Sequence, residues 1–219
     1  MNDDIFKYKV FGRKRGRKIN QLKEYDLLIN QFKLNEKNLS KKKDNILDIG
    51  SGDGESTIYL SNLNPQANII ACDTYVNGNL NLAKNILLNN ISNIFIYPEN
   101  VLKLFDKISD NCLFNSVWIF FPDPWPKKRH FKRRLINKIF FQRLVHFLKK
   151  NAQIHIVTDS QSYLRQILLT IYESKGILIW QNQSVASWEF NIDQFTKTKY
   201  YRKALKTYRK PIYINLKKL

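Results

Sequence analysis

Short apolar runs alternate with segments of helical period from residue 45 onward, and this alternation predicts the fold. The runs have the length of buried strands, and the apolar positions between them recur every three or four residues. The predicted strands are 46–49, 68–72, 94–97, 117–121, 153–158, 177–180 and 211–216. The predicted helices are 21–32, 55–63, 80–89, 101–108, 132–149 and 161–173.

Strands that alternate with helices in this way are typical of an α/β protein with a parallel sheet covered on both faces. We therefore predict a doubly wound, mostly parallel sheet of seven strands. Residues 41–219 are expected to form this domain, and residues 1–40 a basic arm and a helix. The arm, from Lys7 to Lys18, is rich in cations and has no apolar period, so we expect it to be mobile until an anionic partner orders it.

Charge narrows the class of partner. The chain of 219 residues has 37 Lys and Arg against 18 Asp and Glu, a formal net charge of +19, which favours nucleic acid or an anionic membrane surface. No apolar stretch approaches the roughly 18 to 20 residues of a membrane span, and Met1 to Ile5 contains two acids instead of a signal peptide's basic start. We expect a soluble cytoplasmic protein that does not bind membranes.

The few cysteines and histidines do not have the spacing of a metal site or of a disulfide framework. We therefore predict no bound metal. The residues concerned are Cys72, Cys112, His130, His146 and His155.

The first predicted strand ends in a loop, residues 48–54, in which Gly50, Gly52 and Gly54 alternate with other residues. Glycines at this point permit a tight turn and a close backbone approach to a ligand. The dinucleotide fingerprint requires glycine at position 55, where this chain has Glu55, and acids here would repel a pyrophosphate. A neutral or cationic nucleoside is therefore favoured over a dinucleotide.

Three polar residues at strand ends indicate which nucleoside the site would bind. Asp73 follows the second strand, where an acid commonly binds ribose hydroxyls. Asp48 lies beside the glycines as an acceptor for a charged group, and Asn100 follows the third strand within reach of an adenine. S-adenosylmethionine has a ribose, no phosphate, and a positive sulfonium and ammonium. The structural alternative is that Asp48 caps the loop and that Asp73 and Asn100 cap helices.

The fourth predicted strand leads into Phe-Pro-Asp-Pro-Trp-Pro-Lys, residues 121–127. Proline fixes its own φ and favours an extended residue before it, so Phe121, Asp123 and Trp125 are expected to be extended and rigid. A carboxylate held in this way at a strand end is a candidate catalytic group. The alternative is a proline-rich surface turn without a function.

A cationic segment follows this loop and is expected to contact phosphates. Lys132, Arg133 and Arg134 lie in the first turn of the predicted helix 132–149, where the helix dipole disfavours cations unless an anion binds there. A phosphate of a nucleic acid would offset that cost. The expected contacts to the RNA backbone are Lys128, Arg129, His130, Lys132, Arg133 and Arg134.

With these features in order, the chain resembles the bacterial tRNA (guanine-N7)-methyltransferases. The resemblance lies in residues 120–130 with 132–134, and it extends to 11–17, 48–54, 158–159 and 198–201. It implies a Rossmann-like methyltransferase that uses S-adenosylmethionine and methylates guanine 46 in the variable loop of tRNA. It also implies that no second kind of subunit is required, and leaves a monomer or a homodimer open.

By the same resemblance, the cofactor and reaction site includes Asp48, Asp73, Asn100 and Asp123, and the substrate meets Lys127, Asp159, Thr198, Lys199, Tyr200 and Tyr201. The chain departs from the family at three of these positions. Asp48 stands where Glu is usual, Asn100 where Asp is common, and Tyr201 where an acid is expected.

The chemistry agrees with the residues present. Guanine N7 has a lone pair and no proton to lose, so methyl transfer to it needs positioning more than a strong base. We expect Asp123 to accept hydrogen bonds from guanine N1–H and the exocyclic amine, and to favour the cationic product. Two alternatives stay open: a methyltransferase for exocyclic amines, which typically has Asn or Asp, Pro, Pro and an aromatic residue here, and an RNA-binding module without a cofactor.

Overall fold

The computed structural model describes residues 22–111, 113–174, 176–189 and 197–219. The basic arm, Gln21 and Cys112 lie outside these residues. The helices are α1 Leu22–Phe32, α2 Glu55–Leu63, α3 Val76–Leu88, α4 Val101–Lys107, α5 Lys138–Phe147, α6 Gln161–Glu173 and α7 Lys199–Lys206. The strands are β1 Asn45–Ile49, β2 Asn68–Cys72, β3 Ile94–Tyr97, β4 Phe114–Phe120, β5 Leu148–Thr158, β6 Leu178–Trp180 and β7 Ile212–Lys218. Short 3-10 helices cover Glu36–Asn38, Lys128–Arg133 and Val185–Trp188.

Seven strands form a mostly parallel sheet in the order β3-β2-β1-β4-β5-β7-β6. The predicted fold class is thereby confirmed. The chain divides into two compact units after Asp110, so β1 to β3 belong to the first unit and β4 to β7 to the second. Among the described residues, no helix is long and apolar enough to cross a membrane, and no group of His, Cys, Asp or Glu is arranged to hold a metal ion.

The strands of the first unit are parallel and end in register. Ile49 of β1 pairs with Cys72 of β2, and Cys72 pairs with Tyr97 of β3. Every residue of β1 and β2 is buried, as expected for strands covered on both faces. Because the three carboxyl ends are aligned, the loops that follow them begin at the same edge of this unit.

The second unit combines parallel and antiparallel pairs. Strands β4 and β5 are parallel with Phe120 opposite Val157, whereas β7 pairs antiparallel with both β5 and β6. Phe120 and Val157 are the buried centre of a cluster on which Phe121 and Tyr201 pack. The chain segments that follow β4 and β5 therefore leave the sheet side by side.

One predicted helix is wrong. The sequence period predicted a helix from 132 to 149, but a 3-10 helix ends at Arg133, and α5 runs from Lys138 to Phe147. Asn137 caps α5 through a hydrogen bond from the Phe140 amide to its Oδ1 atom, at 3.0 Å. The cations of residues 128–134 therefore do not occupy the first turn of an α-helix, and the dipole argument for a phosphate there does not hold.

Candidate active site

The glycine loop of the first unit, Gly50 to Gly54, turns from β1 into α2 entirely through left-handed glycines. Gly50, Gly52 and Gly54 have φ of 79°, 55° and 84°. A side chain in this region costs roughly 1–2 kcal/mol per residue, so the tight turn depends on glycine. The backbone amide of Gly50 donates to the carbonyl of Cys72 at 2.8 Å, which joins the loop to the end of β2. The predicted turn is confirmed.

Asp73 closes this loop from the next strand. Its Oδ2 atom accepts from the Gly52 amide at 2.8 Å, and its Oδ1 atom accepts from the Tyr75 amide at 2.9 Å, just before α3. Burial raises the pKa of Asp73, and the backbone hydrogen bonds oppose that shift. The carboxylate is therefore fixed beside the glycines, and it keeps acceptor capacity for a ligand.

Gly78 is a residue that the sequence analysis missed. A Cβ atom placed on it would lie 2.1 Å from the carbonyl oxygen of Gly52, so α3 contacts the loop backbone directly. Further along α3, Leu82 packs on Gly54. A Cβ atom placed on Gly54 would lie 2.6 Å from the Cδ1 atom of Leu82. The available signal was a glycine directly before a helical pattern, and an isolated glycine in a helix usually has a packing reason. The predicted start of this helix at residue 80 left Gly78 outside it.

Asp48 is buried at the end of β1, where it anchors α2. Its Oδ2 atom accepts from the hydroxyls of Ser56 and Thr57, each at 2.7 Å. Burial raises the pKa of Asp48 to about 6, although both hydroxyls favour the charged form. The structural alternative for Asp48 was a cap on the loop, but the carboxylate accepts from α2 and so stabilises the helix that follows the loop.

Asn100 caps α4. Its Oδ1 atom accepts from the Leu102 amide at 2.9 Å, so the alternative in which Asn100 caps a helix is confirmed. Its Nδ2 group remains a donor that a ligand can use, and Asn100 follows β3, whose end is in register with those of β1 and β2. That this Nδ2 group donates a hydrogen bond to an adenine remains a prediction.

The groups of this unit fit S-adenosylmethionine. Ser51, within the glycine loop, has a buried Oγ atom with no hydrogen-bond partner in the described part of the chain. Space is open where a Cβ of Gly50 would lie. Burial raises the pKa of both Asp48 and Asp73, so a positively charged ligand would stabilise their ionised forms, whereas a pyrophosphate would oppose them.

The loop of the second unit that contains Asp123, residues 121–127, departs from the predicted backbone. Phe121 and Trp125 precede prolines and were expected to be extended, but they have φ of 50° and 41°. Each such residue costs of order 1–3 kcal/mol, so surrounding contacts must hold the loop. The Phe121 amide donates to the carbonyl of Val157 at 2.8 Å. Asp123 itself is exposed, and the structure thus leaves its side chain accessible.

Trp125 is held between two cationic-segment residues. The guanidinium carbon of Arg133 lies 4.9 Å from its ring centroid, and the ring of His130 meets it edge-on at 5.8 Å. Lys127, Lys128, Arg129 and Lys132 are exposed. These four side chains therefore have the accessibility that phosphate contacts need.

Arg134 does not belong to the RNA-contacting set in which the sequence analysis placed it. Only 2% of the residue is exposed. Its guanidinium donates to Pro124, Ser162 and Gln166 within this unit. A phosphate cannot reach a guanidinium enclosed in this way, so this assignment is corrected.

The remaining predicted substrate residues lie near the ends of β5 and α7. Asp159 follows β5 and forms an ion pair with Arg209, with 3.1 Å between its Oδ2 atom and Nη1. Thr198 caps α7, because its Oγ1 atom accepts from the Tyr201 amide at 3.2 Å. Tyr200 stacks on Phe121, with ring centroids 6.4 Å apart. Lys199 is exposed. The structure thus brings Tyr200 and Tyr201 against the base of the Asp123 loop.

Known proteins resemble the chain over most of its length. Residues 42–213 match the family described as "Putative methyltransferase". A tRNA (guanine-N(7)-)-methyltransferase from Wolbachia pipientis is 36% identical over 175 residues, which cover 80% of this chain and 75% of the relative. One from Neorickettsia sennetsu is 34% identical over 164 residues, 74% of each chain.

A solved structure supports the fold. It is that of a protein from Streptococcus mutans described as "a putative methyltransferase", solved in complex with SAH. Its TM-score to this chain is 0.54, and the two sequences are 12% identical. The alignment covers 93% of this chain and 100% of that protein. At this identity the similarity supports the shared fold and no finer property.

Proposed function

We propose a reaction for this chain from one premise, which is that it belongs to the tRNA (guanine-N7-)-methyltransferase family. The reaction is methyl transfer from S-adenosylmethionine to N7 of guanine in tRNA, and the target is guanine 46 of the variable loop. The observation that carries the proposal is that the matched residues, 42–213, include both the glycine loop with Asp73 and the Asp123 loop. We assign the catalytic domain to residues 41–219.

The first unit would hold the cofactor. S-adenosylmethionine supplies an electrophilic methyl group on a positively charged sulfur when it is bound. Asp73 has acceptor positions left for ribose hydroxyls, and Asn100 has its Nδ2 group for the adenine. Asp48, with a pKa raised to about 6, ionises around neutral pH and then attracts a cation. The glycine loop provides the close backbone approach.

The second unit would hold the guanine. Asp123 accepts hydrogen bonds from N1–H and the exocyclic amine, which orients the ring and leaves N7 free. Its negative charge stabilises the cationic ring that forms when N7 is methylated. No proton has to leave N7, so orientation is the main requirement for this residue. Lys127, Asp159 and residues 198–201 are the proposed further contacts to the substrate.

The exposed cations would bind the tRNA backbone. Lys128, Arg129 and Lys132 are exposed beside the Asp123 loop, and the side chains of His130 and Arg133 are partly exposed next to them. Contacts of this kind supply affinity and depend on salt, whereas the choice of base depends on the loop.

The test of the reaction is incubation of the purified protein with tritiated S-adenosylmethionine and bulk tRNA, followed by nucleoside analysis. The expected product is N7-methylguanosine. A methylated exocyclic amine would support the second class of methyltransferase, and no transfer despite cofactor binding would contradict the assignment to tRNA.

The position is tested with transcripts of one tRNA that carry guanine or adenine at position 46. Cleavage of the product at N7-methylguanosine by reduction and aniline treatment is expected only for the transcript with guanine. Equal methylation of both transcripts would remove position 46 from the proposal and leave the chemistry intact.

A further inference from the structure

Arg134 is the buried residue of the cationic segment, and its guanidinium donates four hydrogen bonds within the second unit. Its Nε donates to the carbonyl of Pro124 at 2.8 Å. Its Nη1 donates to the carbonyl of Ser162 at 2.9 Å and to Oε1 of Gln166 at 3.0 Å, and its Nη2 donates to Oγ of Ser162 at 2.8 Å. The side chain thus joins the Asp123 loop to the first turns of α6.

The surroundings fix the orientation of this guanidinium. Its central carbon lies 3.6 Å from the ring centroid of Phe131 and 4.9 Å from that of Tyr163. Arg presents planar, rigid donors that can serve several acceptors at once, which a Lys or Gln side chain at this position cannot do. The arrangement is therefore specific to Arg and independent of any phosphate.

The chain next to Arg134 is also held by α6. The Ile136 amide donates to the hydroxyl of Tyr163 at 2.8 Å, and Nε2 of Gln166 donates to the carbonyl of Ile136, also at 2.8 Å. Ile136 and Tyr163 are fully buried. Residues 134–136 therefore form a fixed base from which the guanidinium reaches back to the loop.

The bond to Pro124 falls where the loop needs support. Pro124 follows Asp123 directly, between the two left-handed residues Phe121 and Trp125. Phe121 is tied to β5 through its amide, and Trp125 is enclosed by Arg133 and His130. Strained backbone of this kind persists only when its surroundings over-determine it, and Arg134 supplies the contact at its centre.

We propose that Arg134 is a positioning residue of the methyl transfer, which acts by holding the backbone at Pro124 so that Asp123 keeps its orientation toward the guanine. This inference rests on the proposed function. It also divides the cationic segment into two roles, since the exposed cations bind the RNA and the buried one holds the loop.

The main experiment compares Arg134→Gln with the wild type in steady-state kinetics with tRNA. Gln can replace at most part of the four hydrogen bonds, so the loop is expected to loosen. We expect kcat to fall 10- to 100-fold, because a misplacement of about 1 Å at a reacting group has effects of this size. The Kd of S-adenosylmethionine is expected to change less than twofold, and the slope of log K for tRNA against log salt to stay the same.

Two further variants give the contrast. Thr170→Ala removes a buried hydroxyl of α6 that donates to the backbone carbonyl of Gln166. It therefore tests a loss of stability that leaves the hydrogen bonds of Arg134 in place. We expect it to keep kcat. Lys132→Gln removes an exposed cation, and we expect it to reduce the magnitude of the salt slope by roughly 0.7 to 0.9.

A second readout does not depend on activity. Hydrogen exchange of a peptide that covers residues 121–131 is expected to accelerate in Arg134→Gln, while exchange of residues 48–56 stays at the wild-type rate. Chemical rescue provides the complement, since methylguanidinium added to Arg134→Ala is expected to restore part of kcat. If Arg134→Gln does not fold, Ser162→Ala removes one acceptor of the Arg134 guanidinium instead. This variant is expected to lower kcat about three- to tenfold.

The possible outcomes separate the inference from the function. Wild-type protein that fails to methylate tRNA contradicts the proposed function. Active wild-type protein together with an Arg134→Gln variant of unchanged kcat and unchanged loop exchange overturns the positioning role. A flatter salt slope in that variant, with kcat retained, would show that Arg134 binds RNA after all.

Discussion

The substitution Gly78→Ala tests how closely α3 approaches the glycine loop. A Cβ at this position would lie 2.1 Å from the carbonyl oxygen of Gly52, and real Cβ contacts are essentially never shorter than 3.0 Å. Loop and helix must therefore separate by at least about 0.9 Å. The bond from the Gly52 amide to Asp73, now 2.8 Å, would lengthen beyond hydrogen-bonding distance if the loop makes that movement.

The magnitude follows from that bond. A hydrogen bond to a charged group contributes roughly 1.5 to 3 kcal/mol, and the cofactor must restore the loop geometry that this bond maintains. Affinity for S-adenosylmethionine is therefore expected to fall about 10- to 100-fold, at 1.4 kcal/mol per tenfold. Stability of the free protein should also fall, because the lost bond and an overpacking cost of about 1 to 3 kcal/mol exceed the gain of about 1 kcal/mol from Ala over Gly within a helix.

The assay is calorimetric titration with S-adenosylmethionine, with thermal melting of the free protein as the measure of stability. Leu88→Ala is the matched control, because Leu88 lies at the far end of the same helix and is 78% exposed. We expect this control to bind the cofactor like the wild type. A Gly78→Ala protein with wild-type affinity would refute the reasoning that loop geometry and cofactor binding depend on this contact.

Three further predictions concern pH and salt. Burial lowers the pKa of His155 to about 4. As the pH drops below 6.5, His155 becomes protonated in the unfolded chain but not in the folded one, so the free energy of unfolding should fall. Between pH 7 and pH 5 the loss attributable to His155 is about 2 kcal/mol, and His155→Phe should show a correspondingly smaller loss in chemical denaturation. Because the pKa of Asp48 is raised to about 6, S-adenosylmethionine should bind up to tenfold more weakly per pH unit below pH 6, and equal pH dependence in Asp48→Asn would contradict this. The double change of Lys128 and Arg129 to Gln should reduce the magnitude of the salt slope for tRNA by roughly 1.4 to 1.8, and an unchanged slope would remove both residues from the RNA surface.

The alternation of apolar runs predicted the first unit well, because its strands are short, buried and separated by ordinary helices. The range predicted for β2, residues 68–72, is the one observed, and so are those of β3 and α2. The start of α3 was placed at 80 instead of Val76, because Asn77, Gly78 and Asn79 are poor helix formers. Packing decides there, since Asn79 is buried and its Nδ2 group donates to the carbonyl of Asp73 at 2.9 Å.

Tertiary contacts explain the errors in the second unit. The apolar period continues through residues 131–140, yet hydrogen bonds that Arg134 and Ile136 donate to α6 hold these residues outside a helix. Helix α7 was missed because it is short and mostly polar, and Ala204 is its one buried residue. The left-handed Phe121 and Trp125 could not be foreseen, since a residue before proline is normally extended.

The local and the ligand-binding explanations of Asp48, Asp73 and Asn100 were treated as alternatives, and the structure indicates that they are compatible. Each residue uses an oxygen within its own unit: Asp48 for α2, Asp73 for the glycine loop and Asn100 for α4. These bonds fix the side chains before any ligand arrives. A ligand that uses their remaining acceptor and donor positions then has less side-chain entropy to remove on binding. The same contacts that form the fold therefore also fix the polar groups for which we propose cofactor binding, so a structural role for a strand-end acid or amide does not argue against a ligand-binding one.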